Sequence, residues 1–322
     1  MAEGLPYSTI SRLAESAIQN ENLSALLGLA ICSQRAVADT LSSKDGVELF
    51  SNNIQKSSEA IPELFFLLKK SFSQGYLPIF RRLTRNFIIK AAMRISGRGL
   101  RGDLKRDAIF EPGMSEFSVE KTIDRFLEKY SEDNLLTYKD IVGIEKTERR
   151  KTGVLMLDTS GSMYGEKMVN ACLTVAVLSH HMQKDEYAVI IFNNDANVIK
   201  KIDAKTEISE LIEAILDMEP AGYTNIEAAL KKGLLELGKK RMNPRKWGIL
   251  VTDGEYNKGG DPRPFARSFP KLHVIQSPSQ SAAIKKGERL CKDLARYGKG
   301  RYAKVHSHAE IPRVLMNLLK KV

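Results

Sequence analysis

The fold of this chain is decided by residues 153–163, which read GVLMLDTSGSM. An apolar run that ends in a carboxylate and small polar residues predicts a buried strand followed by a turn. In open α/β sheets, ligands bind outside the carboxyl ends of the strands. The alternate residues Asp158, Ser160 and Ser162 can direct three oxygens to that edge. Three hard oxygens favour a hard cation such as Mg²⁺, which binds few protein ligands and keeps several waters.

Two further oxygen-bearing residues follow later in the chain. Thr224 lies in a Gly-Tyr-Thr-Asn segment, and Asp253 follows an apolar, strand-like run. Together with Asp158, Ser160 and Ser162 they resemble the metal-ion-dependent adhesion site (MIDAS) of von Willebrand factor A (vWA) domains, in the family's order. The resemblance covers roughly the last half of the chain and implies Mg²⁺ bound by these five residues, with Mn²⁺ as the alternative. It also implies that an Asp or Glu of a protein partner completes the metal coordination.

Each part of this motif also has a simpler explanation. Asp158 could belong to an ordinary capped turn between strand and helix, and Asp253-Gly254 is a common turn dipeptide. Thr224 and Glu227 have the spacing of a capping box for the following helix. These explanations do not account for five oxygen-bearing residues in the family's order. The five together therefore predict a metal site.

Five residues close in sequence to the predicted ligands are expected to contact the partner: Tyr164, Glu166, Tyr223, Glu255 and Tyr256. Alternatively, Glu166 and Glu255 are ordinary surface charges. The stretch 255–262 follows the second aspartate on the metal side of the sheet, so it is expected at the partner surface.

Enzyme motifs that look similar are incomplete in this chain. A serine hydrolase elbow needs Gly-x-Ser-x-Gly, and residues 158–162 lack the first glycine. A Gly-x-x-x-x-Gly-Lys-Ser/Thr loop is also missing, so the chain should not hydrolyse ATP itself. None of the 5 histidines has the spacing of a zinc site or of a catalytic triad. We predict a binding protein and not an enzyme; a hydrolase with Asp158 as nucleophile is the alternative.

Beyond about residue 152, short apolar runs alternate with helical patterns. The apolar runs are 187–192, 247–251, 271–275 and 301–305, and the helical patterns lie near 167–182, 206–218, 225–238, 281–296 and 308–320. This alternation predicts an α/β fold with a Rossmann-like, doubly wound and mostly parallel sheet. Residues 193–195 predict a turn into one antiparallel edge strand that ends near Ile202. We assign 152–322 to the vWA domain.

Residues 1–131 are predicted to form an all-α N-terminal domain, because apolar residues recur there at helical spacing between short polar breaks. Leu77-Pro78 is expected to open a long helix that reaches about Arg94. The highly charged segment 132–151 is expected to connect the two domains.

Composition and cysteine usage predict the compartment. The 3 cysteines are widely spaced, which favours buried free thiols and a reducing environment. The sequence has neither a basic leader followed by an apolar core nor an apolar stretch of membrane-spanning length. We therefore expect a cytoplasmic protein that does not use a membrane.

The net charge of +11 is concentrated in a basic band between Lys69 and Arg106, where eleven Lys or Arg occur with one acid. Six arginines of this band are candidates for contact with phosphates or with an acidic partner: Arg81, Arg82, Arg85, Arg94, Arg98 and Arg101. Alternatively, the basic band is a solvated helix face whose charged ends lie in water.

A helical leader before a C-terminal A domain is similar to the intracellular branch of the vWA family, which includes CoxE-like proteins and the partners of MoxR-type AAA+ ATPases. The resemblance implies an adaptor or co-chaperone in metal insertion, cofactor maturation or complex assembly. The alternative is a Ro-like RNA-binding protein, because the Ro autoantigen also joins a helical region to an A domain. The basic band would then bind RNA, although no repeat is detectable in the leader.

Overall fold

The computed structural model describes residues 5–56, 60–96, 104–111, 116–128, 137–147, 151–160, 166–182, 185–218, 222–240, 245–278 and 284–319. Up to residue 96 the described chain is all-helical, as predicted, and contains α1 (Tyr7–Gln19), α2 (Leu23–Cys32), α3 (Gln34–Leu41), α4 (Lys44–Lys56), α5 (Ala60–Leu68) and α6 (Leu77–Ser96). Residues 104–109 and 117–118 are strands, so the all-α prediction for residues 1–131 does not hold there. Polar caps begin two of these helices: Asn22 accepts from the Ala25 amide at 3.0 Å, and Ser33 accepts from the Ala36 amide at 3.3 Å.

A small antiparallel sheet follows the helices. It is built from β1 (Leu104–Ile109), β2 (Phe117–Ser118) and β3 (Val142–Thr147), and α7 (Val119–Glu128) lies between β2 and β3 in sequence. Strand β3 lies between the other two and pairs antiparallel with both. Residues 98–150 form a compact unit of their own. The segment 132–151 is therefore more than a connection, because its charged strand β3 completes this sheet.

The rest of the chain alternates strands and helices. The elements are β4 (Thr152–Asp158), α8 (Glu166–His181), β5 (Glu186–Phe192), β6 (Ala196–Lys200), α9 (Ile208–Leu216), α10 (Ile226–Gly238), β7 (Lys246–Thr252), α11 (Arg263–Ser268), β8 (Leu272–Gln276), α12 (Ile284–Tyr297), β9 (Lys299–Lys304) and α13 (Ile311–Leu319). Among the described residues these strands form one sheet in the order β6-β5-β4-β7-β8-β9. All neighbouring pairs are parallel except β5 and β6. The predicted mostly parallel sheet with one antiparallel edge strand is confirmed.

Both faces of the larger sheet are covered by apolar side chains. On β4, Leu155 and Leu157 belong to one buried cluster, and Val154 and Met156 belong to the other. The first cluster also contains residues of α1 to α6, α8, α9 and α13, whereas the second contains residues of α10 and α12. The helical region and the larger sheet thus share a core, and residues 1–97 and 151–322 form one compact unit. This grouping differs from the predicted boundaries at 131 and 152.

Charged contacts join the helical region to α9. The Lys69 ammonium donates to the carbonyl oxygens of Leu216 at 3.2 Å and Met218 at 2.5 Å, at the C-terminal end of that helix. Arg81 of α6 lies 2.5 Å from the carboxylate of Asp217. Arg85, one turn later on α6, forms an ion pair with Glu213.

These contacts correct one prediction about the basic band. Arg81 and Arg85 were candidates for binding phosphate or an acidic partner, but their acidic groups lie within the chain. The charge of these arginines stabilises the packing of α6 against α9. Arg82 and Arg94 are exposed, whereas Arg98 and Arg101 lie outside the described residues.

Two sequence expectations concern cysteines and membranes. Cys172 and Cys291 are buried free thiols, as predicted, and Cys32 is a half-buried free thiol. No helix in the described part of the chain has both the length and the apolar character needed to cross a membrane.

Candidate metal and partner site

Asp158 and Asp253 lie at the carboxyl ends of two adjacent parallel strands. Asp158 is the last residue of β4, and Asp253 directly follows β7. The Asp158 carboxylate accepts from the Thr252 hydroxyl at 2.9 Å and from the Ser160 amide at 3.0 Å. The Asp253 carboxylate accepts from the Glu255 amide at 2.8 Å. The two carboxylates are thereby oriented by hydrogen bonds at one edge of the sheet.

The two aspartates repel each other electrostatically. Asp158 is buried, and burial together with the negative charge of Asp253 raises its pKa to about 7. Hydrogen bonds from Ser160 and Thr252 act in the opposite direction. Paired carboxylates and hydroxyls in a buried setting match the hard oxygen ligands that Mg²⁺ and Mn²⁺ prefer. The described residues therefore fit a divalent cation chemically.

Thr224 reaches the same edge from the loop before α10. Its amide donates to the Asn257 side chain at 2.7 Å, and its carbonyl accepts from the Asn257 amide at 3.2 Å. Asn257 follows Asp253 by four residues, so these bonds join the Thr224 loop to the Asp253 turn. Thr224 itself is buried.

The predicted capping box of Thr224 and Glu227 is wrong. Asn225 caps α10 by accepting from the Ala228 amide at 3.0 Å. Glu227 instead accepts from the Gly260 amide at 2.5 Å and pairs with Lys231 at 2.7 Å. The side chain that caps α10 is therefore that of Asn225 and not the Thr224 hydroxyl.

The end of β5 connects these loops. The Phe192 carbonyl accepts from the Thr159 amide at 2.8 Å, and the Asn193 carbonyl accepts from the Asn225 amide at 2.9 Å. The Asn194 side chain accepts from the Tyr223 amide at 2.6 Å. The loops that carry Asp158 and Thr224 are thus both fixed to the carboxyl end of the same strand.

The predicted partner contacts have different environments. The Tyr223 side chain is 61% exposed, whereas Tyr256 is half-buried against the core and Glu255 is half-buried. Ser162, the fifth predicted ligand, and Tyr164 lie outside the described residues. Glu166 begins α8, but the description does not extend to its side chain.

Sequence reasoning missed several residues that shape this edge. No role was predicted for Thr252 from the sequence, yet its hydroxyl orients Asp158 and also accepts from the Gly254 amide at 3.2 Å. The signal that could have indicated this role is the position of Thr252 directly before Asp253 in the sequence. A cavity beside the Asp253 turn was also missed, because one of its walls is formed by residues of α12, which lie far from Asp253 in the sequence.

Comparison with known proteins identifies the sheet domain. A family model described as von Willebrand factor type A domain matches residues 154–255. Inter-alpha-trypsin inhibitor heavy chain H3 from Bos taurus is 32% identical over 119 residues, which cover 34% of this chain and 13% of that protein. The match thus spans only a small part of this relative.

Solved structures with similar folds are more distant in sequence. An aerotolerance-related membrane protein from Bacteroides fragilis is 19% identical, with a TM-score of 0.43 and coverage of 53% of this chain and 100% of that one. Proximal thread matrix protein 1 from the mussel byssus, with a zinc-occupied MIDAS motif, is 18% identical, with a TM-score of 0.43 and coverage of 53% of this chain and 47% of that one. Similarities of this size carry no argument about function.

The family match and the strand order agree with each other. The matched residues begin in β4 and end just after Asp253, so they include both aspartates and Thr224. The sheet is mostly parallel, with helices on both faces. The chain therefore contains a domain of the von Willebrand factor type A fold, preceded by an all-helical N-terminal region.

Proposed function

We propose that this chain is a divalent-metal-dependent protein-interaction module. The observation that supports the proposal most is that Asp158 at the end of β4, Asp253 after β7 and Thr224 in the loop before α10 lie at one edge of the sheet. Ser160 and Ser162 would add two hydroxyl ligands. A cation with at most two protein carboxylates remains electrophilic, so it can accept a carboxylate from a partner's Asp or Glu.

The proposed partner is a MoxR-type AAA+ ATPase. This part of the proposal rests on the resemblance of a helical leader and a C-terminal A domain to the intracellular vWA branch. The chain would act as an adaptor or co-chaperone in metal insertion, cofactor maturation or complex assembly. Its role would be binding and not catalysis, and its proposed location is the cytoplasm.

A pull-down from the organism's own lysate tests this proposal. Tagged wild type, in Mg²⁺ and in EDTA, is compared with a Ser160→Ala/Ser162→Ala double variant. A Ser8→Ala/Ser24→Ala variant is the matched control, because both serines are exposed on N-terminal helices. We expect an AAA+ ATPase to be retained only in Mg²⁺, by wild type and by the control. Equal retention in EDTA or by the site variant would contradict metal-dependent binding.

One observation favours RNA binding as the second candidate. Arg82, Lys90 and Arg94 are exposed on α6, and Lys90 and Arg94, four residues apart, are neighbours on its surface. RNA bound there would be retained in EDTA and lost at raised salt. The same pull-down, washed at two salt concentrations, distinguishes the two candidates.

A further inference from the structure

A cavity of about 270 Å³ lies beside the turn that carries Asp253. One wall is formed by residues 254–257, which follow Asp253 directly, and the other by four residues of α12: Lys286, Gly287, Arg289 and Leu290. Leu290 is buried and Tyr256 packs against the core, so these two side chains provide an apolar floor. Residues that line the cavity therefore directly follow the predicted metal ligand Asp253 in the sequence.

Two glycines bring the cavity walls into direct contact. A Cβ atom on Gly254, whose φ is +83°, would lie 2.4 Å from the Gly287 carbonyl oxygen. A Cβ atom on Gly287 would lie 2.6 Å from the Asp253 carbonyl oxygen. Only glycine permits so close an approach of two backbones. The Asp253 turn and the first turns of α12 thus form one closely packed structure.

The cavity is positively charged. Arg263 is fixed at its side by Asp261 at 3.1 Å and Asp293 at 3.2 Å. Lys286 and Arg289 also line the cavity and are exposed, and no ion pair to either is found within the described part of the chain. Among the described residues that line the cavity, Glu255 is the single acidic one. Two cationic side chains are therefore available to an incoming anion.

Building on the proposed function, we propose that this cavity binds a second acidic side chain of the same partner segment whose first Asp or Glu completes the metal coordination. With a volume of about 270 Å³ the cavity is large enough to admit an acidic side chain. The methylene groups of an Asp or Glu would contact Leu290 and Tyr256. The carboxylate would pair with Lys286 and, through two parallel hydrogen bonds, with Arg289.

The test uses Gly/Ser peptides, acetylated at the N-terminus and amidated at the C-terminus, with one Asp or with two Asp separated by spacers of increasing length. Their affinity is measured by NMR chemical-shift titration in saturating Mg²⁺. Lys286 and Arg289 are exposed, so water screens each ion pair and each contributes less than about 1 kcal/mol. With two such contacts we expect one spacing to bind about 3- to 30-fold more tightly than the single-Asp peptide. A Lys286→Gln/Arg289→Gln variant should lose this advantage. A Lys285→Gln variant should keep it, because Lys285 is an exposed neighbour that does not line the cavity.

The outcomes separate this inference from the proposed function. If the single-Asp peptide binds in Mg²⁺ but the second Asp adds nothing, or its benefit survives in the double variant, the inference is wrong and metal-dependent binding stands. If no peptide binds in a Mg²⁺-dependent manner, both are wrong. Binding of inorganic phosphate in EDTA, lost in the double variant, would assign the cavity to a free anion and overturn the inference.

Discussion

Lys69→Met removes the contact that most directly joins the helical region to the vWA domain. The Lys69 ammonium donates to two carbonyls at the end of α9, those of Leu216 and Met218. Methionine keeps an apolar stem of similar length near the Phe66 ring but cannot donate. The substitution therefore removes the two hydrogen bonds together with the cation–π contact to Phe66, while the packing of the stem is kept.

The size of the effect follows from burial. A hydrogen bond from a charged group contributes about 1.5–3 kcal/mol, and two would contribute about twice that. Lys69 is half-buried, so water can hydrogen-bond to the freed carbonyl oxygens and offset part of the lost free energy. We expect the free energy of unfolding to fall by about 2 kcal/mol. With a urea m-value of about 3 kcal/mol/M, the midpoint would fall by about 0.7 M.

Urea unfolding can be followed by two signals at once. Far-UV circular dichroism reports the helices, and fluorescence of Trp247, the single tryptophan, reports the core beneath the sheet. Because Trp247 and the N-terminal helices share one buried cluster, both transitions should shift together. The control is Lys90→Met, an exposed position on α6, where we expect almost no shift. A Lys69→Met shift no larger than that of the control, or one confined to the helical signal, would refute a shared core.

Three further predictions concern single residues. Thr252→Val, which removes the hydroxyl donor to Asp158, should weaken Mg²⁺ affinity about tenfold or more in a calorimetric titration; unchanged affinity would show that this hydroxyl does not orient the ligand. Burial and the nearby charges of Lys271 and Arg301 lower the pKa of His273 from 6.5 to about 4, and Nδ1 accepts from the Arg301 amide. As the pH falls, the unfolded chain binds this proton before the folded chain does, so the free energy of unfolding should fall by about 2 kcal/mol between pH 6.5 and 4. In urea titrations the His273→Asn variant should not show this loss. A loss of the same size in the variant would assign it to other groups. Gly153→Ala places a Cβ atom 2.1 Å from the buried Trp247 ring and should cost about 3 kcal/mol in urea unfolding, whereas Gly28→Ala, with open space around it, should be neutral or stabilising; similar values for both would contradict this packing.

The sequence was informative where the signal was local. Asp158 and Asp253 each follow an apolar strand directly, so their position at the sheet edge could be predicted from neighbouring residues. The same holds for the alternation of strands and helices beyond residue 152. Such patterns arise because burial imposes a period of two on strands and of 3.6 on helices.

Contacts between distant segments could not be predicted in this way. Lys69 binds carbonyls 147 and 149 residues later, and a lysine on a helix has the same pattern whether it faces water or another helix. Strand β3 is as rich in charged residues as a linker, so its sequence carries no strand signal. Its backbone pairing with β1 makes it a strand, and that pairing does not require apolar alternation. The cavity next to Asp253 depends on the close approach of Gly254 and Gly287, which lie on different elements.

The central claim is that Asp158, Ser160, Ser162, Thr224 and Asp253 bind one divalent cation. Titration of the purified chain with Mn²⁺, followed by electron paramagnetic resonance, tests it directly because free and bound Mn²⁺ give different signals. We expect one Mn²⁺ per chain, displaced by Mg²⁺, with affinity at least about tenfold weaker in Asp253→Asn than in wild type. Binding that is equally tight in wild type and variant, or no saturable binding to wild type, would contradict the claim.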